Sequence, residues 1–195
     1  MQLISSQQAV AKKIISWCLA KGFNTNSITA ILGNAYAESA LRLNNVQGSY
    51  EKTVGTDDIY TDKINNGTYS REQFTKDKAG YGLFQWTYHT RKATMYDVMK
   101  KLKKNIDSWE VCEEMLNKEL LPYKTRLNKC TDYIKCSEIL VKEFLRPADQ
   151  SETAIKRRAN YGVEVVKVVP TQQEETKQTI VYEDDFVIVI RKGGN

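Results

Sequence analysis

Apolar residues recur at the spacing of an α-helix along most of the chain. A helix is predicted over residues 5–21, where Gly22 provides a C-terminal stop. After Thr90 the pattern predicts further helices over residues 91–104, 107–120, 123–129, 135–146 and 150–168. The body of the protein is therefore predicted to be mainly α.

A second N-terminal helix is predicted from Ser27 onward. Asn26 or Ser27 is placed to cap its start, and Asn44-Asn45 to end it. Its apolar face consists of Ile28, Ile31, Leu32, Ala35 and Tyr36. We expect this helix to lie in the core and the first helix to pack on it.

Between Leu43 and Lys78 the composition changes to Gly, Asn, Thr, Asp and Tyr. Such a stretch favours short strands, turns and loops, and Asn66-Gly67 is a hairpin turn signal. Long loops in compact domains are more often functional than idle. We therefore expect an α+β fold that is mainly α, with a helical body and a small polar β-containing lobe.

The C-terminal residues differ in composition from the rest of the chain. Residues 170–178 have the composition of a linker, and residues 179–191 predict two strands around Asp184-Asp185. The expected organisation is a domain over residues 1–169, a linker over 170–178, and over 179–195 a β-hairpin appendage or the start of a further module.

Charge and cysteine usage exclude some classes of function. The net charge is +5, and residues 1–169 carry +7, which suits an anionic polymer such as nucleic acid, teichoic acid or peptidoglycan. The basic residues are spread along helices without a nucleic-acid motif, so we expect no nucleic-acid partner. Four cysteines without a CxxC pair and a single histidine, His89, predict reduced thiols, no metal and no cofactor. We also expect no signal peptide and no membrane partner.

Glu38 is the first candidate for chemistry. It falls beside Ile31 on the border of the apolar face and in the last turn of the predicted helix. Partial shielding from water and the negative end of the helix dipole both disfavour the ionised carboxylate, so we expect a raised pKa. A raised pKa suits a group that donates a proton near neutral pH. The alternative is an exposed glutamate without a special role.

Residues 79–87, AGYGLFQWT, form a second candidate region. Tyr81, Phe84 and Trp86 offer flat faces that can stack on a sugar ring, and Gln85 can bind a hydroxyl or an N-acetyl group. The alternative is a hairpin that packs these aromatic rings into the core.

Three segments together resemble the phage tail lysozyme family, the peptidoglycan-cutting domain of phage tail lysins. The segments are ILGNAYAESALRLNNVQ at 31–47, GYGLFQWT at 80–87 with Arg91-Lys92, and FLRPADQSETAIKRRANY at 144–161. The resemblance covers about residues 5–168. It implies a lysozyme-like fold with a substrate cleft between the helical body and the β lobe.

The resemblance also implies an activity and its residues. The activity is hydrolysis of glycan strands between N-acetylmuramic acid and N-acetylglucosamine, with Glu38, in the GN-x-x-x-ES motif, as the proton donor. Tyr81, Phe84, Gln85, Trp86 and Thr87 are candidates for the floor of the glycan groove, and Tyr88 is a further one. The protein would act in a phage tail or as a released lysin, and residues 179–195 would contact other tail proteins.

Glycoside cleavage usually takes a second carboxyl group. Among the acids of the polar lobe we favour Asp57 or Asp58, because the turn at Gly55-Thr56 is placed to aim one of them into the cleft. A solvated loop aspartate is the alternative for each. A mechanism without a second carboxylate, including that of a lytic transglycosylase, stays open, as does a wall-binding module without turnover.

The chain departs from the family pattern at one position. Many relatives read FERPA where residues 144–148 read FLRPA, so Leu145 replaces a glutamate, while Glu143 lies two positions earlier. We favour a structural role for that glutamate in the relatives. The alternative is that it assists the chemistry there, in which case its replacement by Leu145 would affect activity here.

Overall fold

The computed structural model describes residues 1–169 and the backbone of residues 180–183 and 186–189. The α-helices of the described chain are α1 Ser5–Ala20, α2 Thr25–Ser39, α3 Glu51–Val54, α4 Asp57–Asn65, α5 Arg71–Lys76, α6 His89–Leu102, α7 Trp109–Glu119, α8 Lys124–Leu127, α9 Tyr133–Ile139 and α10 Glu152–Val168. Two 3-10 turns, Gly48–Tyr50 and Leu121–Tyr123, and a π-helical segment, Leu140–Leu145, complete the helical structure.

Two strands follow the helical body. They are β1 Ile180–Glu183 and β2 Phe186–Val189, which pair antiparallel with Ile180 opposite Val189. The predicted linker, residues 170–178, and Asp184-Asp185 lie outside the described residues.

The mainly α prediction is confirmed, and α1, α6, α7 and α10 begin and end within two residues of their predicted bounds. The first helix ends as predicted at Gly22, whose N–H bonds the carbonyl of Leu19 while the N–H of Phe23 bonds the carbonyl of Cys18. This pair of bonds satisfies two carbonyls that the helix end would otherwise leave free.

The predicted bounds of the second helix are wrong. Asn24, not Asn26 or Ser27, caps α2, because its side-chain oxygen accepts the N–H of Ser27 at 2.9 Å. At the other end the helix stops at Ser39, because Ala40 and Leu41 both adopt left-handed backbone angles. The turn signal at Asn44-Asn45 therefore lies in the loop beyond the helix.

The strands expected in the polar lobe are not confirmed. Residues 48–76 form short helices, and Asn66-Gly67 ends α4 instead of turning a hairpin. Within the described residues, β pairing in this region is limited to isolated bridges that join Val46 to Tyr81 and Tyr81 to Trp86. Burial accounts for the difference, since the buried apolar residues of the lobe lie on its short helices: Val54 on α3, Tyr60 and Ile64 on α4, and Phe74 on α5. The cleft beside the lobe stays a prediction.

Helix α2 is the centre of the body and contacts α1, α8, α9, α10 and the π-helical segment. Its closest neighbour is α10, because two glycines face each other where the helices cross. A Cβ atom on Gly33 would lie 2.1 Å from the carbonyl oxygen of Arg158, and one on Gly162 would lie 1.9 Å from that of Thr29. The two backbones are thus in direct contact, and no side chain fits between them.

We predict that either Gly33→Ala or Gly162→Ala lowers the free energy of unfolding by about 3 kcal/mol, because the added methyl group forces the helices apart. Urea denaturation followed by circular dichroism measures the change. Gly48→Ala is the matched control: a Cβ atom there meets no atom within 4 Å. Its effect should stay below about 0.5 kcal/mol. Equal unfolding midpoints for all three variants would contradict the close contact.

Candidate functional site

Glu38 lies in the last turn of α2 and faces α10. Its side chain is only 14% exposed, and its Oε1 atom accepts a hydrogen bond from Nη1 of Arg158 at 2.5 Å. Arg158, which is 12% exposed, lies one turn before Gly162 on α10. The helix crossing therefore brings an acid and a base together at a shielded point.

The pair sets the electrostatics of the site. The guanidinium of Arg158 and the carboxylate of Glu38 form a charge-assisted hydrogen bond between two largely shielded side chains. Arg158 also has an unsatisfied donor, because its Nε atom is buried and has no hydrogen-bond partner within residues 1–169. The shielding of Glu38 was predicted from the sequence, whereas no role was predicted for Arg158.

The chain directly after Glu38 is strained. Ala40 and Leu41 have φ values of 51° and 62°, which cost non-glycine residues of the order of 1 kcal/mol each. Two contacts hold this conformation: Leu41 is fully buried, and Nε2 of Gln7 donates to the carbonyl of Ala40 at 3.0 Å. The sharp turn separates the carboxyl group of Glu38 from the loop that follows.

Arg42 connects this turn to the polar lobe. Its Nε donates to the carbonyl of Ser39 at 3.2 Å, its Nη1 to Oδ2 of Asp57 at 2.6 Å, and its Nη2 to Oδ1 of Asn45. The second oxygen of Asp57 accepts the N–H of Val46 at 2.7 Å. Asp57, at the start of α4, thereby fixes the loop between α2 and the lobe.

Asp58 has a different environment. It is exposed, and its Oδ1 accepts one hydrogen bond from the side chain of Asn44 at 3.0 Å. The two predicted aspartates therefore differ: the oxygens of Asp57 are occupied by protein donors, whereas Asp58 faces solvent.

Residues 80–87 form a tight turn. The N–H groups of Tyr81 and Trp86 each bond the other's carbonyl, and the N–H of Gly82 bonds the carbonyl of Asn45 at 2.8 Å. The three aromatic rings point into the core: Tyr81 bonds Thr61 at 2.8 Å through its hydroxyl, and Phe84 packs edge-on against Trp86 and Phe144. The turn thus adopts the arrangement expected of a hairpin that buries its aromatics.

The rest of this turn reaches the surface. Gln85 is half-buried and donates through Nε2 to the carbonyl of Asn45 at 3.0 Å, which joins it to the loop held by Arg42. Thr87 is exposed, and Tyr88 is 69% exposed with its ring 5.3 Å from that of His89. Gln85, Thr87 and Tyr88 therefore form the solvent-facing edge of the turn.

A buried ion pair supports the turn from behind. Lys92, on α6, is fully buried, bonds the carboxylate of Asp77, and donates to the carbonyl of Ala79 at 2.8 Å. Burial lowers the pKa of Lys92, and Asp77 opposes that effect. Burial together with Asp77 raises the pKa of Tyr60, whose hydroxyl also bonds this carboxylate. Removing either charge would leave the other buried and unpaired.

A second shielded carboxylate, that of Glu119, lies near the indole of Trp86. Glu119 pairs with Nε of Arg91 at 2.9 Å, while Arg91 also donates to the carbonyl of Phe144 at 3.2 Å. Burial raises the pKa of Glu119, and Arg91 and the indole of Trp86 oppose that effect. Leu145 is half-buried against the core.

Within the part of the chain that the structure describes, no group of three or more His, Cys, Asp or Glu side chains is arranged to hold a metal ion. Cys18, Cys112 and Cys136 are buried free thiols, and burial raises the pKa of each. None of the described helices combines the length and apolar character needed to cross a membrane.

The geometry is that of a mainly helical domain with one shielded acid at the end of its central helix. The profile of the phage tail lysozyme family matches residues 9–168, and the chain belongs to that family. Family membership supports the role of a lysozyme-like peptidoglycan hydrolase associated with phage and acting on the cell wall. Searches of the curated proteins and of the solved structures gave no match.

We predict that Asp57→Asn lowers the free energy of unfolding by about 1 kcal/mol, because it weakens the charge-assisted bond to the half-exposed side chain of Arg42 and the bond to the loop backbone. Asp58→Asn is the matched control and should change it by less than about 0.5 kcal/mol, because one exposed hydrogen bond contributes little. Chemical denaturation of both variants compares them. A larger loss for Asp58→Asn would show that the loop is not held through Asp57.

Proposed function

We propose that this protein is a muramidase that cleaves the bond between N-acetylmuramic acid and N-acetylglucosamine, and that a phage uses it to breach the bacterial wall. The observation that carries the proposal is the position of Glu38. It is a shielded carboxyl group at the end of a core helix in a member of the phage tail lysozyme family.

In this proposal Glu38 is the general acid. Its protonated carboxyl gives the proton to the glycosidic oxygen as the bond from that oxygen to the muramyl C1 breaks. Water then supplies the hydroxyl group at C1, and its second proton restores the carboxylic acid.

Asp57 and Asp58 are the proposed candidates for the second carboxyl group. The hydrogen bonds from Arg42 and Val46 favour a role for Asp57 in holding the loop. The exposure of Asp58 favours a role for it in activating water, since its carboxylate is accessible from solvent. A lytic transglycosylase needs neither, because the 6-hydroxyl of the muramyl residue takes the place of water.

The glycan is proposed to bind along the solvent-facing edge of residues 80–88. Gln85 and Thr87 offer amide and hydroxyl groups, and Tyr88 offers an exposed ring of the kind that stacks on sugars. Tyr81, Phe84 and Trp86, which the sequence analysis placed on the groove floor, support this edge from within the core.

Family membership also supports a proposal for the partner of the protein and for where it acts. We propose that peptidoglycan glycan strands are the partner and that the protein works either within a phage tail or as a released lysin. Residues 179–195 are proposed to contact other tail proteins.

Digestion of purified peptidoglycan tests the proposal. The soluble fragments are reduced with borohydride and identified by mass spectrometry. The wild type should release fragments with reducible muramic acid ends, and Glu38→Gln should slow their release by at least about 100-fold, because a general acid contributes that much to the rate. Glu152→Gln, at an exposed glutamate paired with Lys156, is the matched control and should retain wild-type activity.

The chemical ends of the released fragments also distinguish the alternative functions. Anhydro-muramic acid ends would identify a lytic transglycosylase. A folded wild-type protein that binds the wall but releases no fragments would be a wall-binding module and would refute the proposed activity. Full activity of Glu38→Gln would refute the assignment of the acid.

A further inference from the structure

The contact between Arg158 and Glu38 uses one oxygen of the carboxyl group. Nη1 of Arg158 donates to Oε1 at 2.5 Å, and within the described residues Oε2 accepts no hydrogen bond. A carboxylic acid needs one oxygen for its proton and has the other available as an acceptor. The contact therefore leaves Oε2 without a protein donor within the described residues.

The position of Arg158 is fixed by its own backbone. Its carbonyl oxygen lies against Gly33 on α2, at the point where a Cβ atom would be 2.1 Å away, and Gly162 on the next turn lies against Thr29. Glu38 lies five residues beyond Gly33, about 7.5 Å further along the helix axis. The side chains of Arg158 and Glu38 together cover this distance, since Nη1 of one contacts Oε1 of the other.

The other charged groups near the end of α2 are engaged elsewhere. Arg42 pairs with Asp57, and Arg157, the neighbour of Arg158 on α10, lies 3.9 Å from Asp149. From the π-helical segment, Glu143 pairs with Arg126. The packed rings of Tyr36 and Tyr161 also join α2 to α10. Within residues 1–169, the ion pair that involves Glu38 is therefore the one with Arg158.

We propose that Arg158 is a positioning residue for Glu38, which holds the carboxyl group by Oε1 and sets the pH above which the enzyme loses activity. The inference rests on the proposed function, since it takes Glu38 as the general acid. Arg158 acts through Glu38 and is given no contact with the substrate.

Two consequences follow from this role. Loss of the positive charge favours the protonated carboxyl, so the alkaline limb of the pH–rate profile should move to higher pH. Loss of the hydrogen bond frees the carboxyl to rotate, so the turnover number should fall at every pH. A side chain with a purely structural role would not move the alkaline limb.

The test compares Arg158→Met, Arg158→Lys and Arg157→Met in peptidoglycan digestion between pH 4 and 10. Arg158→Met keeps the length of the side chain and removes its charge. It should lower kcat by at least about 10-fold and move the alkaline limb up by about one pH unit. Arg158→Lys keeps the charge and should leave the limb near its wild-type position. Arg157→Met removes a charge from the same helix and should leave both quantities unchanged.

Thermal unfolding confirms that each variant is folded at the assay temperature. A folded Arg158→Met with the wild-type alkaline limb would overturn the inference while leaving the proposed muramidase intact. The same shift in Arg157→Met would also overturn it, because the effect would then reflect net charge. If Arg158→Met does not fold, Arg158→Gln replaces it, and a wild-type limb in both Arg158→Gln and Arg158→Lys overturns the inference. A wild type without activity would remove the proposed function and this inference together.

Discussion

The direct backbone contact between Gly33 and Gly162 is the constraint on which the site depends. Because neither residue has a side chain, α2 and α10 approach until the carbonyl of Arg158 touches the position of a Cβ atom on Gly33. That approach fixes where the Arg158 side chain starts, and its guanidinium then reaches Glu38 in the last turn of α2. A wider crossing would place a side chain or water between the helices and separate the pair. The contacts that pack α2 against α10 therefore also bring Arg158 to Glu38.

Polar contacts hold the loop that connects α2 to the polar lobe. Beyond Glu38 the chain turns through two strained residues, Ala40 and Leu41, and Arg42 then bonds Ser39, Asn45 and Asp57. Asn45 in turn accepts from Gly82 and Gln85, so hydrogen bonds run continuously from the end of α2 to the turn at residues 80–87. These bonds join the shielded acid to the exposed edge proposed to bind the glycan. The hydrogen bonds thus connect Glu38 to residues distant in sequence that are proposed to share its site.

The sequence was sufficient to predict the helical body and the shielded position of Glu38 in the last turn of α2, because both follow from a periodic pattern of apolar residues. The polar lobe was predicted poorly, since its helices are short and its buried residues, such as Tyr60 and Phe74, stand among turn-forming residues. Arg158 was missed because an arginine in a helical repeat is usually solvated. Gly33 and Gly162 carried a usable signal, since a glycine inside a helical pattern often marks a close packing contact. The exposure of Tyr88 and the burial of Tyr81 depend on tertiary packing, and the local sequence does not distinguish the two residues.

The most direct test of the account is a double-mutant cycle on the free energy of unfolding, with Glu38→Gln, Arg158→Met and the double variant measured by urea denaturation at pH 7. The crossing of α2 and α10 brings these two side chains into one shielded ion pair. We therefore expect a coupling energy of at least about 1 kcal/mol between the two substitutions. Additive effects within about 0.3 kcal/mol would contradict it, because the two side chains would then not depend on each other.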